Sequence, residues 1–319
     1  MDMTPRILAS ATLLTVFCGA APAVDPQLLS LAMPDAVAMA DVNVVTAKAS
    51  PFGQYVVGQI ASASQFAAFT AQVGFDPTQD LNEILVANNG TPKTGLVLAS
   101  GTFNVSAIST AAAQAGTASE IYNGVTILED PKKEHGFAFL GSSIAIAGDI
   151  ASVKAAIGRQ GAAPGLPSQV VSQINALSGA DDAWFLTTVP PASLEKHAGT
   201  TSAQPPSGTN GLLPPGTAQN ILKEIQAANG GVKFGGNVQF SAQAQTDNAQ
   251  DATALAGVIQ LLANLAQANS TKNPQGAAAL KSLTVSASGA TVNLSLTLPE
   301  DQFQQLFTQS HAKRAALRK

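Results

Sequence analysis

Two tetrapeptides, Ser193-Leu194-Glu195-Lys196 and Ser310-His311-Ala312-Lys313, match the S-x-x-K pattern in which a lysine activates a serine nucleophile. Lys93-Thr94-Gly95 matches the K-T-G that accompanies that serine in acyl-enzyme chemistry. The order is wrong for the reaction, because the K-T-G precedes both serines and no S-D-N stands between them. A G-x-S-x-G elbow is also missing. The three histidines, His135, His197 and His311, are far apart in sequence, and none has a second ligand at i+3 or i+4 on a helix. Glu134-His135 reads as a solvated pair in a polar turn, and Asp181-Asp182 as a loop cap before a strand. The glycine pairs Gly230-Gly231 and Gly235-Gly236 form neither a dinucleotide fingerprint nor a phosphate loop, and read as a helix stop and a bulge. No convergent catalytic, metal-ligating or cofactor-binding set emerges, so the expectation is a protein that is not an enzyme.

Composition narrows the partners. Over 319 residues the chain is 45% hydrophobic and only 11% charged, which suits a folded protein with a sizeable core rather than a disordered one. A net charge of −4 provides no electrostatic footprint for nucleic acid. The lone Cys18 excludes a disulfide framework.

Residues 1–23 read as a signal peptide. Arg6 supplies the basic start, Ile7 to Ala20 the apolar stretch, and Ala21-Pro22-Ala23 the small residues a signal peptidase recognises. Cleavage after Ala23 leaves a chain beginning Val24-Asp25-Pro26, in the periplasm or outside the cell, without cysteine. Cys18 lacks the small preceding residue that a lipidated N-terminus requires, since Phe17 stands there. No later segment is apolar enough to span a bilayer.

The elements follow from periodicity. A short helix opens at Asp25-Pro26, and a strand is expected over Val37 to Val45. Helices then start at Ser50-Pro51 and near Ser64, the second ending at Gly74. Glu83 to Ala87 and Gly95 to Phe103 form a hairpin, and Val105 to Gln114 a helix. Glu120 to Glu129 and Gly136 to Ala147 are expected as two strands of a second hairpin, followed by a helix from Gly148-Asp149. The second half repeats this plan loosely, with Asp182-Ala183-Trp184 echoing Asp35-Ala36-Val37. It contains a helix over Thr217 to Ala228, a strand or strand pair over Val232 to Thr246 and a helix over Asp251 to Ala268. A hairpin over Leu280 to Leu298 and a last helix from Glu300 complete it. The expected fold is therefore α+β: two loosely repeated units, each a mostly antiparallel sheet with helices packed on one face. The units span 24–160 and 161–310, with a flexible Pro/Gly-rich loop at 199–216 and a basic C-terminal tail at 311–319.

One resemblance adds to this reading. Pro34-Asp35-Ala36, Ser50-Pro51-Phe52-Gly53-Gln54, Gly74-Phe75-Asp76-Pro77, Asp80-Leu81, Tyr122-Asn123-Gly124, Ala138-Phe139-Leu140, and Ala147-Gly148-Asp149 through Ala156-Ile157 carry it. On these, residues 24–160 resemble a group of uncharacterised exported proteins found mainly in soil bacteria. The resemblance implies an α+β fold and an exported compartment, and no activity.

Phe137, Phe139, Trp184, Phe185 and Phe240 are expected on strands facing helices, as core. An apolar pocket between sheet and Ala-rich helices is the functional alternative for them. Two functions follow. The first is a non-catalytic binding or structural protein of the cell envelope, with a protein partner. The second is a soluble carrier of an apolar, lipid-like ligand in the same compartment. Lys313, Arg314, Arg318 and Lys319 read as the basic end of a helix that opens with Glu300 and Asp301, rather than as an anchor for an anionic surface.

Overall fold

The computed structural model describes residues 24–62, 66–130, 132, 134–195, 223–268 and 274–316. Its first half runs α1 (Pro26–Leu31), β1 (Ala38–Asn43), α2 (Val44–Ala49), α3 (Pro51–Ala61), α4 (Phe66–Val73), α5 (Pro77–Asp80), β2 (Leu81–Asn88), β3 (Gly95–Gly101) and α6 (Val105–Gln114). It continues with β4 (Ala118–Tyr122), β5 (Val125–Glu129), β6 (His135–Leu140), β7 (Ile144–Asp149) and α7 (Ile150–Gly158). The second half runs α8 (Ser168–Ala180), β8 (Ala183–Thr187), α9 (Pro191–Glu195), β9 (Ala227–Lys233), β10 (Asn237–Gln245), α10 (Ala249–Ala268) and α11 (Pro274–Ala279). It ends with β11 (Thr284–Ser288), β12 (Thr291–Pro299) and α12 (Glu300–Ala316). The fold is α+β.

All strands of the described residues join one antiparallel 12-stranded sheet in the order β11-β12-β10-β9-β8-β1-β2-β3-β7-β6-β5-β4. The expectation of a separate sheet in each unit is corrected, because β8 pairs antiparallel with β1 and carries the ladder across. Each half places its first strand beside a hairpin and returns its last strand to that hairpin's second strand. The resulting orders are β1-β2-β3-β7 and β8-β9-β10-β12.

Side-chain alternation gives the sheet two unlike faces. On the front, Leu85, Leu98 and Ile146 form one cross-strand row and are fully buried, with Ala138 and Ile127 continuing it. The apolar sides of α1, α7 and α8, with Leu28, Val153 and Ile174, close over this row and its neighbours. Beyond β8 the pattern inverts. Gln239, Gln243, Gln245 and Asn293 point forward there, while Val238, Ala244, Val292 and Leu298 are buried on the back. The helix α10 therefore packs on the back, through Ala252, Leu255 and Ala256 against Ala244 and Val292. The helix α12 packs there too, through Phe303 on Phe240, with ring centroids 5.5 Å apart. Helices on one face only was the expectation; they lie on both faces because the binary pattern changes sides.

Other boundaries move for local reasons. Asn43 accepts from the Thr46 amide and caps α2, so the strand expected to Val45 stops at Asn43. The hairpin expected around Asp130 is present as β5–β6, but its two arms are four strands: Asn123 and Gly124 at positive φ turn β4 into β5, and Gly141 at positive φ lies between β6 and β7. Residues 227–228, expected at a helix end, begin β9. Gly235 and Gly236 lie in the turn between β9 and β10, which settles that segment as a strand pair. The signal segment 1–23 and the loop 199–216 lie outside the described residues. The tail is helical to Ala316, with its last residues outside them.

Candidate functional site

The back of the sheet carries an open apolar trough across β1, β8, β9, β10 and β12. Its central row follows the ladder: Ala40, Phe185, Gly230, Ala242 and Leu294 are successive cross-strand partners, with Val86 of β2 beside Ala40 at the margin. Val42, Ala183, Val232, Phe240 and Leu296 widen the floor, enclosing about 490 Å³. At one end Phe240 meets Phe303 of α12, and Phe303 in turn meets Phe52 of α3 at 4.6 Å between centroids. At the other end Leu294 packs into the α10 cluster. Between them Phe185 stays 42% exposed, its ring edge over Gly230, where an added Cβ would stand 3.0 Å from Phe185 Cε1. The lack of a side chain at Gly230 makes the room for that ring. A sheet's interior strands have spent their amides and carbonyls on the ladder, so the floor presents almost nothing but carbon.

Directly behind the trough floor, on the front face, lies a pair of buried acids. Asp41 is 4% exposed and Glu83 6%, on neighbouring strands. Both oxygens of Glu83 accept from the backbone amide of Asp25, each at 3.1 Å. Asp41 pairs across the ladder with Trp184, yet Asp41 Oδ1 and Trp184 Nε1 each lack a hydrogen-bond partner. Burial, then the charge of Glu83 and the contact between the two carboxyls, push Asp41 up to about 8, with the Trp184 indole acting the other way. Burial also raises Glu83, opposed first by the Asp25 amide. Neither acid forms an ion pair among the described residues.

A third buried acid is fully used. Asp182, 3% exposed, accepts from Lys233 Nζ at 2.7 Å and from the Phe234 amide at 2.8 Å, and so clamps the entry of β8 to the β9–β10 turn. The sequence expectation of a simple loop cap for Asp181-Asp182 is thus corrected at Asp182. Burial first, and the neighbouring Asp182 charge second, raise Asp181.

The residues singled out from sequence are scattered. Ser193 sits in α9 and donates to the Pro190 carbonyl, and its would-be partner Lys196 lies outside the described residues, as does His197. Lys93-Thr94-Gly95 forms the turn into β3, with Lys93 at a positive φ. His135 is exposed and lies 3.6 Å from Asp130, next to its own turn. Among the aromatics, Trp184 is core at 3% exposure, and Phe137 and Phe139 are half-buried and edge-on at 4.7 Å. Phe185 is not core: as the next residue of the same strand it must face the opposite side from Trp184. Asp41 and Glu83 escaped the sequence reading, although each breaks phase, sharing a face with Met39 and with Leu85 and Ala87 respectively.

No protein-family model and no curated protein matches the chain. Solved structures do. Crystal form I of TP0453 is similar over 90% of this chain and 98% of that one, at 10% identity and a TM-score of 0.52. Crystal form IV of TP0453 is similar over 89% and 97%, at 11% identity and a TM-score of 0.51. The likeness is one of fold. Among the described residues no helix is long and apolar enough to cross a membrane.

Proposed function

We propose that this chain is an exported, non-catalytic binding protein, working in the periplasm or outside the cell, and that the back-face trough is where it binds an apolar, lipid-like ligand. The trough itself carries the reading. Its volume of about 490 Å³ falls inside the roughly 300–1,000 Å³ of small-molecule sites. Such sites add a few polar groups that orient the ligand, and this floor has almost none, which suits a hydrocarbon chain better than a polar substrate. Exposed apolar area of this kind on a folded protein marks a contact surface. The leader over 1–23 and the resemblance of residues 24–160 to exported proteins of soil bacteria support the compartment.

Native mass spectrometry of the protein purified from its own host tests the ligand. A co-purifying lipid supports the carrier, and a stoichiometric protein partner in its place favours an envelope module. A fluorescent fatty-acid probe tests the location. Phe185→Glu removes a ring worth about 1.5–3 kcal/mol when covered, and places a charge on the floor. Probe affinity is expected to fall at least tenfold with the thermal midpoint little changed, since Phe185 is already exposed. Unchanged affinity would remove the trough as the site.

A further inference from the structure

Glu83, the acid in contact with Asp41, holds the backbone one residue from the bond at which the leader is expected to be cut. Both Glu83 oxygens already hold the amide of Asp25, so the backbone is brought to them at 3.1 Å. Val24, the residue before, is itself seated in the core at 4% exposure rather than trailing into solvent. Consecutive backbone nitrogens lie within about 3.7 Å of one another, so the Val24 nitrogen is within roughly 7 Å of the Glu83 carboxyl with no movement of the chain. Asp41 adds an oxygen that is buried and unpartnered.

We propose that this pair is a receptor for the α-ammonium of Val24, formed when the chain is cut between Ala23 and Val24; the inference rests on the export reading above. In that cut, water adds across the Ala23–Val24 peptide bond under a leader peptidase. Ala23 leaves with the carboxylate, and the Val24 nitrogen becomes an amine that takes up a proton. An uncharged peptide nitrogen with at most one donor thereby becomes a cation with three. That is what two adjacent buried carboxyls with no cation of their own lack. The donor already bound by Glu83 is an N–H, which favours an amine over a metal ion as the missing group. The charged groups that act on the pair are Asp41 on β1, Glu83 on β2 and Asp25 at the cap of α1, all acidic. The cations docked on the same elements, Lys48 on β2 and Arg159 on α1, donate to the Leu81 and Leu31 carbonyls. Before the cut, the pair must hold a proton to be buried; after it, the ammonium replaces that proton. Removal of the leader therefore stabilises the fold, and does so most at neutral and higher pH.

The test starts from the full chain, cleaved by a leader peptidase in detergent, with the new terminus read by N-terminal sequencing. The α-amine is then labelled with an acylating reagent at pH 7, folded and in urea, and the uncut chain's Met1 amine serves as the exposed reference. Labelling of Val24 is expected to be at least tenfold slower in the folded form than in urea. Asp41→Asn or Glu83→Gln is expected to restore most of the rate. Thermal midpoints of the uncut chain are expected to fall from pH 5 to pH 8, and those of the cut chain to fall less. A Val24 amine that reacts as fast folded as unfolded, or identical midpoint profiles for the two forms, overturns the capture while leaving the export reading intact. A cut at another bond overturns the export reading at that point, and the capture with it. The labelling of the unsubstituted chain decides the matter even if neither variant folds.

Discussion

Replacing Asp41 with asparagine should make the full, uncut chain more stable at neutral pH, although Asp41 is buried in the middle of the sheet. Its acid has an ordinary value of 3.8 and is pushed up to about 8 in the fold. At any pH between these values the folded state holds a proton that the unfolded state has lost. Stability then falls as pH rises through this window, by about 1.4 kcal/mol per pH unit for one proton, and levels off above the folded value. At pH 7 roughly three units have been crossed, so proton uptake costs about 4 kcal/mol. Asparagine has nearly the same shape and needs no proton, but it disturbs the contact with Glu83 at a cost of about 1–2 kcal/mol. The net expectation is a gain of about 2–3 kcal/mol at pH 7, a rise in the thermal midpoint on the order of 5 °C. The gain should vanish or reverse near pH 4, where the unfolded aspartate begins to regain its proton and the difference between the two states closes. Urea midpoints across pH 4–8 measure it. Trp184, the one tryptophan and the cross-strand neighbour of Asp41, provides the emission signal. A variant no more stable than the parent at pH 7, with the same slope between pH 5 and 7, refutes the reasoning.

Substitutions at Gly124 and Lys233 probe the frame of the sheet. Gly124→Val forces a branched side chain to φ +79° in the β4–β5 turn, and should cost about 1–3 kcal/mol by urea denaturation, while Gly124→Asn should cost much less. Lys233→Met leaves Asp182 buried with only the Phe234 amide as partner. Because Lys233 is 46% exposed, the loss should be near 1–2 kcal/mol rather than that of a fully buried pair, and Asp182→Asn in the same chain should recover part of it.

The fold was legible in the sequence where one period ran long enough to dominate. The helix over Asp251 to Ala268 and the hairpin through Ser288-Gly289 needed no tertiary information. Asn123-Gly124 is as strong a local signal, but it lies within the apolar run from Glu120 to Glu129, which reads as one strand if the turn is passed over. The helix α8 follows Pro167 with Val170, Ile174 and Leu177 at helical spacing, and its polar remainder hid it. The candidate site was less accessible. Asp41 and Glu83 are 42 positions apart, and only the β1–β2 register places them together; a sequence shows at most that each is an acid on an apolar phase. Phe185 was legible by a simpler rule. It follows Trp184 within a strand, so one of the two had to leave the front core.

The inversion of helical cover explains why both features meet on β1 and β8. Front-face polarity begins at β9, with Asn229 and then Gln243 and Asn293, so the helices of the second half have no apolar surface there and move to the back. The strands at the changeover are covered on the front by α8 and, among the described residues, left bare behind. A bare back face permits Phe185 and Val42 to remain exposed without a helix to meet them. A covered front face strips water from Asp41, between Ala40 and Val42 on the same strand. The trough and the acid pair are thus two sides of one event in the binary pattern. A ligand lying on Ala40 and Val42 is separated from Asp41 by the thickness of the sheet alone, and any shift of β1 under it reaches the acid pair through the backbone.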